Sequence, residues 1–151
     1  MSTRVLMTGY EGESIRDFIP KLVLANVEML IDVRRFASSR KPGFSKNALR
    51  EVLEDVDIEY LHLPNLGMPK DLLKRRHELS DNGPILDAYD ELLPQRQSEI
   101  NILLEAAETW HSCLLCYEAD ETQCHRTRLA RFISAQRPDV IFISLSNEIE
   151  T

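Results

Sequence analysis

The stretch Ser112–Leu145, SCLLCYEADETQCHRTRLARFISAQRPDVIFISL, decides the fold. It opens on a short apolar run, SCLLCYE, and closes on another, DVIFISL. Both read as strands. Between them, CHRTRLARFISAQ sets Leu129 and Ile133 four residues apart, the spacing of one helix face. A strand, a helix and a second strand in succession form a crossover unit, which joins parallel strands.

The same alternation continues toward the N-terminus. RVLMTG (Arg4 to Gly9), EMLIDVR (Glu28 to Arg34) and IEYLHL (Ile58 to Leu63) read as three further strands. Ser14 to Val27 reads as a helix with Ser14 as its N-cap and with Pro20 as a kink or a late start. Ser45 to Val56 reads as a second helix, and KDLLKRRHEL as a short third. Pro84 to Trp110 reads as helical with a break near Pro94. The strand cores are nearly continuous apolar runs, as a sheet covered on both faces requires. The expectation is therefore an α/β fold: a single three-layer domain over residues 1–151, with a mainly parallel sheet of about five strands and helices on both faces.

The chain has 151 residues, enough for one sizeable core. Its formal net charge of -7 disfavours broad nucleic-acid binding, which rests on basic surface, although a local basic patch remains compatible with it. No apolar run is long enough to span a membrane, and the N-terminus has no signal-peptide pattern. Three cysteines close together do not read as a secreted disulfide framework. These features point to a reducing, cytoplasmic setting with no membrane partner.

In open α/β sheets, ligands bind outside the carboxyl ends of the strands. The residues there include Tyr10 and Glu11; Asp32, Arg34 and Arg35; His62 and Asn65; and Glu118, Cys124, His125 and Arg126. Tyr60 and Cys116 stand beside them as pocket candidates. Strand phase puts Asp32 and Arg34 on one face and Arg35 on the other. Ser38, Ser39, Arg40 and Lys41 follow in a loop with Pro42 and Gly43, which suits a phosphate group or is simply solvated. KRRHEL is a further basic run, either a solvated helix face or part of a lid.

Cys113 and Cys116, with Cys124 and His125, superficially offer zinc four ligands. Positions three apart on a strand point to opposite faces, which argues against that set. The same placement removes a thioredoxin-like reading, which needs the pair at a helix N-terminus. Cys113 reads as core, and Cys116 as core or pocket rim. Thr122 as N-cap would put Cys124 in the first helical turn, where the dipole lowers a thiol pKa. Helical phase turns His125 and Arg126 toward the sheet and Cys124 away from it, with Arg128 and Arg131 facing solvent. No arginine follows either Cys116 or Cys124 at the spacing of a phosphatase loop. What remains is an anion site at a helix N-terminus, with Arg126 either forking onto the anion or pairing with Asp32 or Glu118.

Five pieces, TGYEG, IDVRRFASSRKPGF, IEYLHLPNLGMPK, the tyrosine of DAYDELL and LLCYEADETQCHRTRLA, occur in order. Together they resemble the family called domain of unknown function 488 over nearly the whole chain. Its motif positions fall on Gly9, Asp32, Arg34, Ser39, Arg40, Phe44, Tyr60, Leu66, Gly67, Cys116, Glu118, Cys124, His125 and Arg126. Ala37 stands where many relatives have proline, and Met68 where many have glycine. The resemblance implies a compact α/β fold with one polar site and brings no reaction with it.

The functional expectation is an enzyme whose pocket takes a nucleotide, a nucleic-acid end or a sugar phosphate. Arg34 and Arg126, with Ser39 and Arg40, would hold the anion. Glu118 or Asp32 would be the base, His125 the acid and Cys124 a nucleophile. Tyr10, Tyr60, His62 and Cys116 would line the pocket, and no cofactor is expected. The alternatives are a non-catalytic module that binds a nucleotide, nucleic acid or partner, and a metal site at Cys116, Cys124 and His125.

Overall fold

A computed structural model describes every residue except 1, 77, 80, 119–123 and 146–151. Its five strands are β1 (Thr3–Gly9), β2 (Met29–Asp32), β3 (Glu59–His62), β4 (Ser112–Cys116) and β5 (Val140–Ser144). They form one sheet in the order β3-β2-β4-β1-β5. Every neighbouring pair is parallel. The central strand β4 is buried at every position, as its apolar run requires.

The helices are α1 (Ile15–Leu24), α2 (Lys46–Asp55), α3 (Lys70–Arg76), α4 (Gly83–Leu92), α5 (Gln97–Thr109) and α6 (His125–Gln136). They divide between two cores. On one face, Phe18 and Leu22 of α1 and Leu49 and Leu53 of α2 cover Leu30, Cys113 and Leu115. On the other, residues of α3 to α6, among them Tyr89, Leu103, Leu129 and Ile133, cover Ile31, Leu114 and Cys116. Successive β4 residues thus alternate between cores, the two-residue period of a strand. None of the described helices is long and apolar enough to cross a membrane.

The strand order explains the division. The steps β1 to β2 and β2 to β3 move one way across the sheet, through α1 and α2. The steps β3 to β4 and β4 to β5 move back the other way, through α3–α5 and α6. Right-handed crossovers place helices on opposite faces when the direction of travel reverses.

Local signals set most boundaries. Ser14 caps α1 by accepting the Asp17 amide at 3.3 Å. Pro20 neither delays nor ends α1, which continues through it to Leu24. The break near Pro94 is a 3-10 turn, Leu93–Arg96, between α4 and α5. One expectation fails at α6. The helix begins at His125, and Cys124 is its N-cap, with extended backbone at φ -116° and ψ 141°. The expected cap, Thr122, lies outside the described residues.

Candidate functional site

Chain direction marks where a crevice must open. The connection leaving β4 passes to the α6 face, while those leaving its neighbours β1 and β2 pass to the α1 and α2 face. Ligand crevices form where adjacent strands send their connections to opposite faces. A cleft of about 150 Å³ lies at these strand ends. Tyr10, Arg34, Tyr117, Glu118 and His125 line it beside Arg35, Phe36 and Arg76. At ~30 Å³ per water molecule, that space matches a few waters or one small ionic group.

Two glycines permit the close backbone approach that forms these walls. A Cβ on Gly9 would collide with the carbonyl of Glu118, and one on Gly67 with the backbone of Arg35. The β1 end therefore lies directly against the segment after β4, and the Leu66–Gly67 turn against the segment after β2. The Tyr89 hydroxyl donates to the Leu66 carbonyl at 2.6 Å, tying α4 to that turn. Its ring also meets the His125 ring edge-on, with centroids 5.2 Å apart.

Arg34 and Asp32 form the wall on the β2 side. Arg34 donates from Nε to Oδ1 at 2.9 Å and from Nη2 to Oδ2 at 2.7 Å. Its Nη1 donates to the Phe44 carbonyl at 2.8 Å and to the Tyr10 hydroxyl at 3.2 Å. Asp32 also accepts the Tyr60 hydroxyl at 2.5 Å and the Arg34 amide at 3.0 Å. Burial alone would lower the Arg34 pKa, but the hydrogen bond and charge of Asp32 overcome it and raise the pKa. Burial, then the Asp32 charge, raises the Tyr60 phenol well above its ordinary value. His62 Nε2 contacts the Arg34 carbonyl at 2.8 Å. Tyr60 and His62 thus support Arg34 from behind and do not line the cleft.

Asp32 is fully buried, and its carboxylate is engaged by Arg34 and Tyr60. This placement gives it the surroundings of an anchor for Arg34 rather than those of a base facing a substrate. Ser39 and Arg40 also fall outside the cleft lining. Ser39 accepts the Lys41 amide at 3.2 Å within its own loop, and Arg40 is exposed.

The opposite wall carries an ion pair between Arg76, the last residue of α3, and Glu118. Arg76 belongs to the KRRHEL run, whose composition did not single out which arginine reaches the site. His125 lines the same cleft. His125 Nε2 lies 2.9 Å from the Val33 carbonyl, which can only accept, so that nitrogen carries the proton. Burial lowers the His125 pKa despite the Val33 carbonyl and the Glu118 charge. With the proton on Nε2, the Nδ1 side of the ring lies 3.9 Å from Cys124 Sγ.

Beneath the cleft the sulfurs of Cys116 and Cys124 meet as a disulfide. Cys124, expected to point away from the sheet, is 1% exposed. As the extended N-cap it does not follow the phase of α6, which is why the helical projection misplaced it. Arg126 Nη1 donates to the Glu118 carbonyl at 2.6 Å and to Cys116 Sγ at 2.7 Å. Arg126 is therefore bound to the peptide oxygen of residue 118 and to a sulfur, and it is buried below the cleft rather than lining it. Cys113 lies in the other core, where burial pushes its thiol pKa up to about 12.

Of the expected residues, the structure brings Tyr10, Arg34, Glu118 and His125 together around one space. It places Asp32, Tyr60, His62, Cys116, Cys124 and Arg126 just behind them. Phe36 and Tyr117 were not anticipated. Phe36 directly follows the charged Arg35, and Tyr117 stands between Cys116 and the charged Glu118. Both are large rings left about half exposed, 51% and 47%, at the cleft.

No curated protein and no solved structure matched the chain. The family described as "Domain of unknown function DUF488" matches residues 14–133, a span that contains β2, β3, β4, the start of α6 and most of the cleft lining. That match covers most of the sequence, and the chain belongs to the DUF488 family.

Proposed function

We propose that the cleft binds a small anion attached to a planar group, with a nucleotide or nucleic-acid end as the chemical class. The observation that carries this reading is the pairing of surplus positive charge with exposed aromatic rings. Arg34 and Asp32 neutralise each other, as do Arg76 and Glu118, which leaves Arg35 as added positive charge at the lining. This occurs in a chain of net charge -7. Phe36 and Tyr117 offer the stacking faces that nucleobases use, at ~1–3 kcal/mol per base. The cleft is large enough for one phosphate, so the rest of such a ligand would lie across these rings.

Arg76 is the natural anion contact because its present partner is replaceable. A phosphate offers a guanidinium two oxygens, as Glu118 does, and carries more charge. An anion that takes Arg76 releases Glu118. Glu118 and His125 are then cleft residues able to move a proton, so turnover decides between an enzyme and a binding module. A sugar phosphate uses the arginines but not the rings.

Thermal unfolding with inorganic phosphate, ribose phosphate, nucleoside monophosphates and short oligonucleotides tests the reading. A ligand at a hundred times its Kd stabilises by about 2.7 kcal/mol. For a chain of this size that raises Tm by roughly 5–10 °C. The expected result is a shift by nucleotides that Arg76→Ala and Phe36→Ala both diminish. Equal shifts in both variants and the parent would overturn it. Loss in Arg76→Ala alone would leave a phosphate site without base recognition.

A further inference from the structure

We propose that, once two electrons from a thiol or phosphine reductant open the Cys116–Cys124 disulfide, the two thiolates and Glu118, with His125 Nδ1 on the Cys124 side as a fourth donor, form a site for a borderline-soft divalent cation, zinc by its ligand set, beneath the cleft. The inference goes beyond the anion reading and needs no ligand in the cleft. Sγ of Cys116, Sγ of Cys124 and a carboxylate oxygen of Glu118 all lie within 4.8 Å of one another, and all three residues are buried. Two thiolates, an imidazole and a carboxylate suit zinc, which takes sulfur, nitrogen and oxygen in a tetrahedral set.

The surroundings are those a metal site needs. A ligating histidine ordinarily gives its other ring N–H to a carbonyl or carboxylate, which orients the lone pair toward the ion. His125 does this: Nε2 is held by the Val33 carbonyl at 2.9 Å, and Nδ1 points to the side of Cys124 Sγ at 3.9 Å. Arg126 donates to Cys116 Sγ at 2.7 Å, a contact that suits a thiolate, since a charged donor prefers a charged acceptor. Charge comes close to balance. Two thiolates are offset by a dication, and the Glu118 carboxylate by Arg76, which leaves the Arg126 guanidinium as one excess positive charge against the Cys116 sulfur; larger imbalance in a buried site is costly. The strand alternation that separates Cys113 from Cys116 removes the C-x2-C pair as a chelate. It leaves Cys116 beside Cys124, the only other cysteine.

The test is cobalt titration of the full chain in a phosphine reductant, so that no added thiol competes for the ion. The expected result is a thiolate-to-cobalt charge-transfer band with the intensified visible bands of a tetrahedral site, saturating at about one ion per chain and abolished by one equivalent of zinc. Cys113→Ser should keep both bands, while Cys116→Ser and Cys124→Ser should lose the charge-transfer intensity. Because those variants can unfold, thiol alkylation of the wild type is measured beside them. Zinc should protect the Cys116 and Cys124 thiols from reagent in the folded protein. A reduced, folded wild type that shows no cobalt bands and no zinc protection overturns the proposal. That outcome would not affect nucleotide shifts sensitive to Arg76, which report on the cleft separately.

Discussion

Arg34 holds Asp32 through two parallel hydrogen bonds, 2.9 and 2.7 Å long, although the two residues are separated in sequence only by Val33. Both side chains are buried, and Tyr60 and the Arg34 amide fill further acceptor positions of the carboxylate. Removing one member of such a pair leaves an uncompensated buried charge, at ~3–5 kcal/mol. Arg34→Ala should therefore lower unfolding free energy in urea by about that amount, and Arg34→Ala with Asp32→Ala by clearly less. A double variant no better than the single one would show that the pair itself is not the source of the loss.

The close approaches at Gly9 and Gly67 predict a graded alanine series. Gly9→Ala and Gly67→Ala press a methyl group into backbone atoms of Glu118 and Arg35, which cannot swing aside as a side chain does. Each should cost about 1–3 kcal/mol or more by overpacking. At Gly83, a Cβ meets only the Asp81 carboxylate at ordinary contact distance, so Gly83→Ala should be close to neutral. Chemical denaturation of the three variants gives the comparison directly.

Tyr89→Phe should cost about 1–2 kcal/mol, because it leaves the buried Leu66 carbonyl without its 2.6 Å donor. The loss should appear locally as well. Hydrogen exchange at the Leu66–Gly67 turn should accelerate more than exchange in β4, since the hydroxyl ties that turn to α4.

The buried Cys113 thiol predicts a loss of stability in mild alkali. Its folded pKa is about 12, above the ordinary 9.0. Unfolded chains begin to lose the thiol proton near the ordinary value while the folded state keeps it. Stability is thus fully present below that value and falls as pH rises through the window toward the folded pKa. Between pH ~8 and ~9.5 the wild type should lose about 1 kcal/mol more than Cys113→Ala. Parallel urea titrations of the two proteins at several pH values measure this difference.

The sequence by itself determined the alternation of strand and helix, the parallel sheet and the two apolar faces. Those properties rest on periods of two and about four residues, which neighbours along the chain establish among themselves. The Ser14 cap, the break at Pro94 and the shared side of Asp32 and Arg34 are local in the same sense. Tertiary structure decided what the periods cannot carry. Cys124 became the extended cap of α6 instead of part of its first turn, and so turned inward to Cys116. Arg76, from a basic run like many others, reached Glu118 at the cleft wall, while Arg126 went to the Glu118 carbonyl and a sulfur. Charged side chains choose partners by distance and burial in three dimensions. Which arginine faces the cleft, and which is locked beneath it, is settled only when β1, β2, β4 and α6 meet.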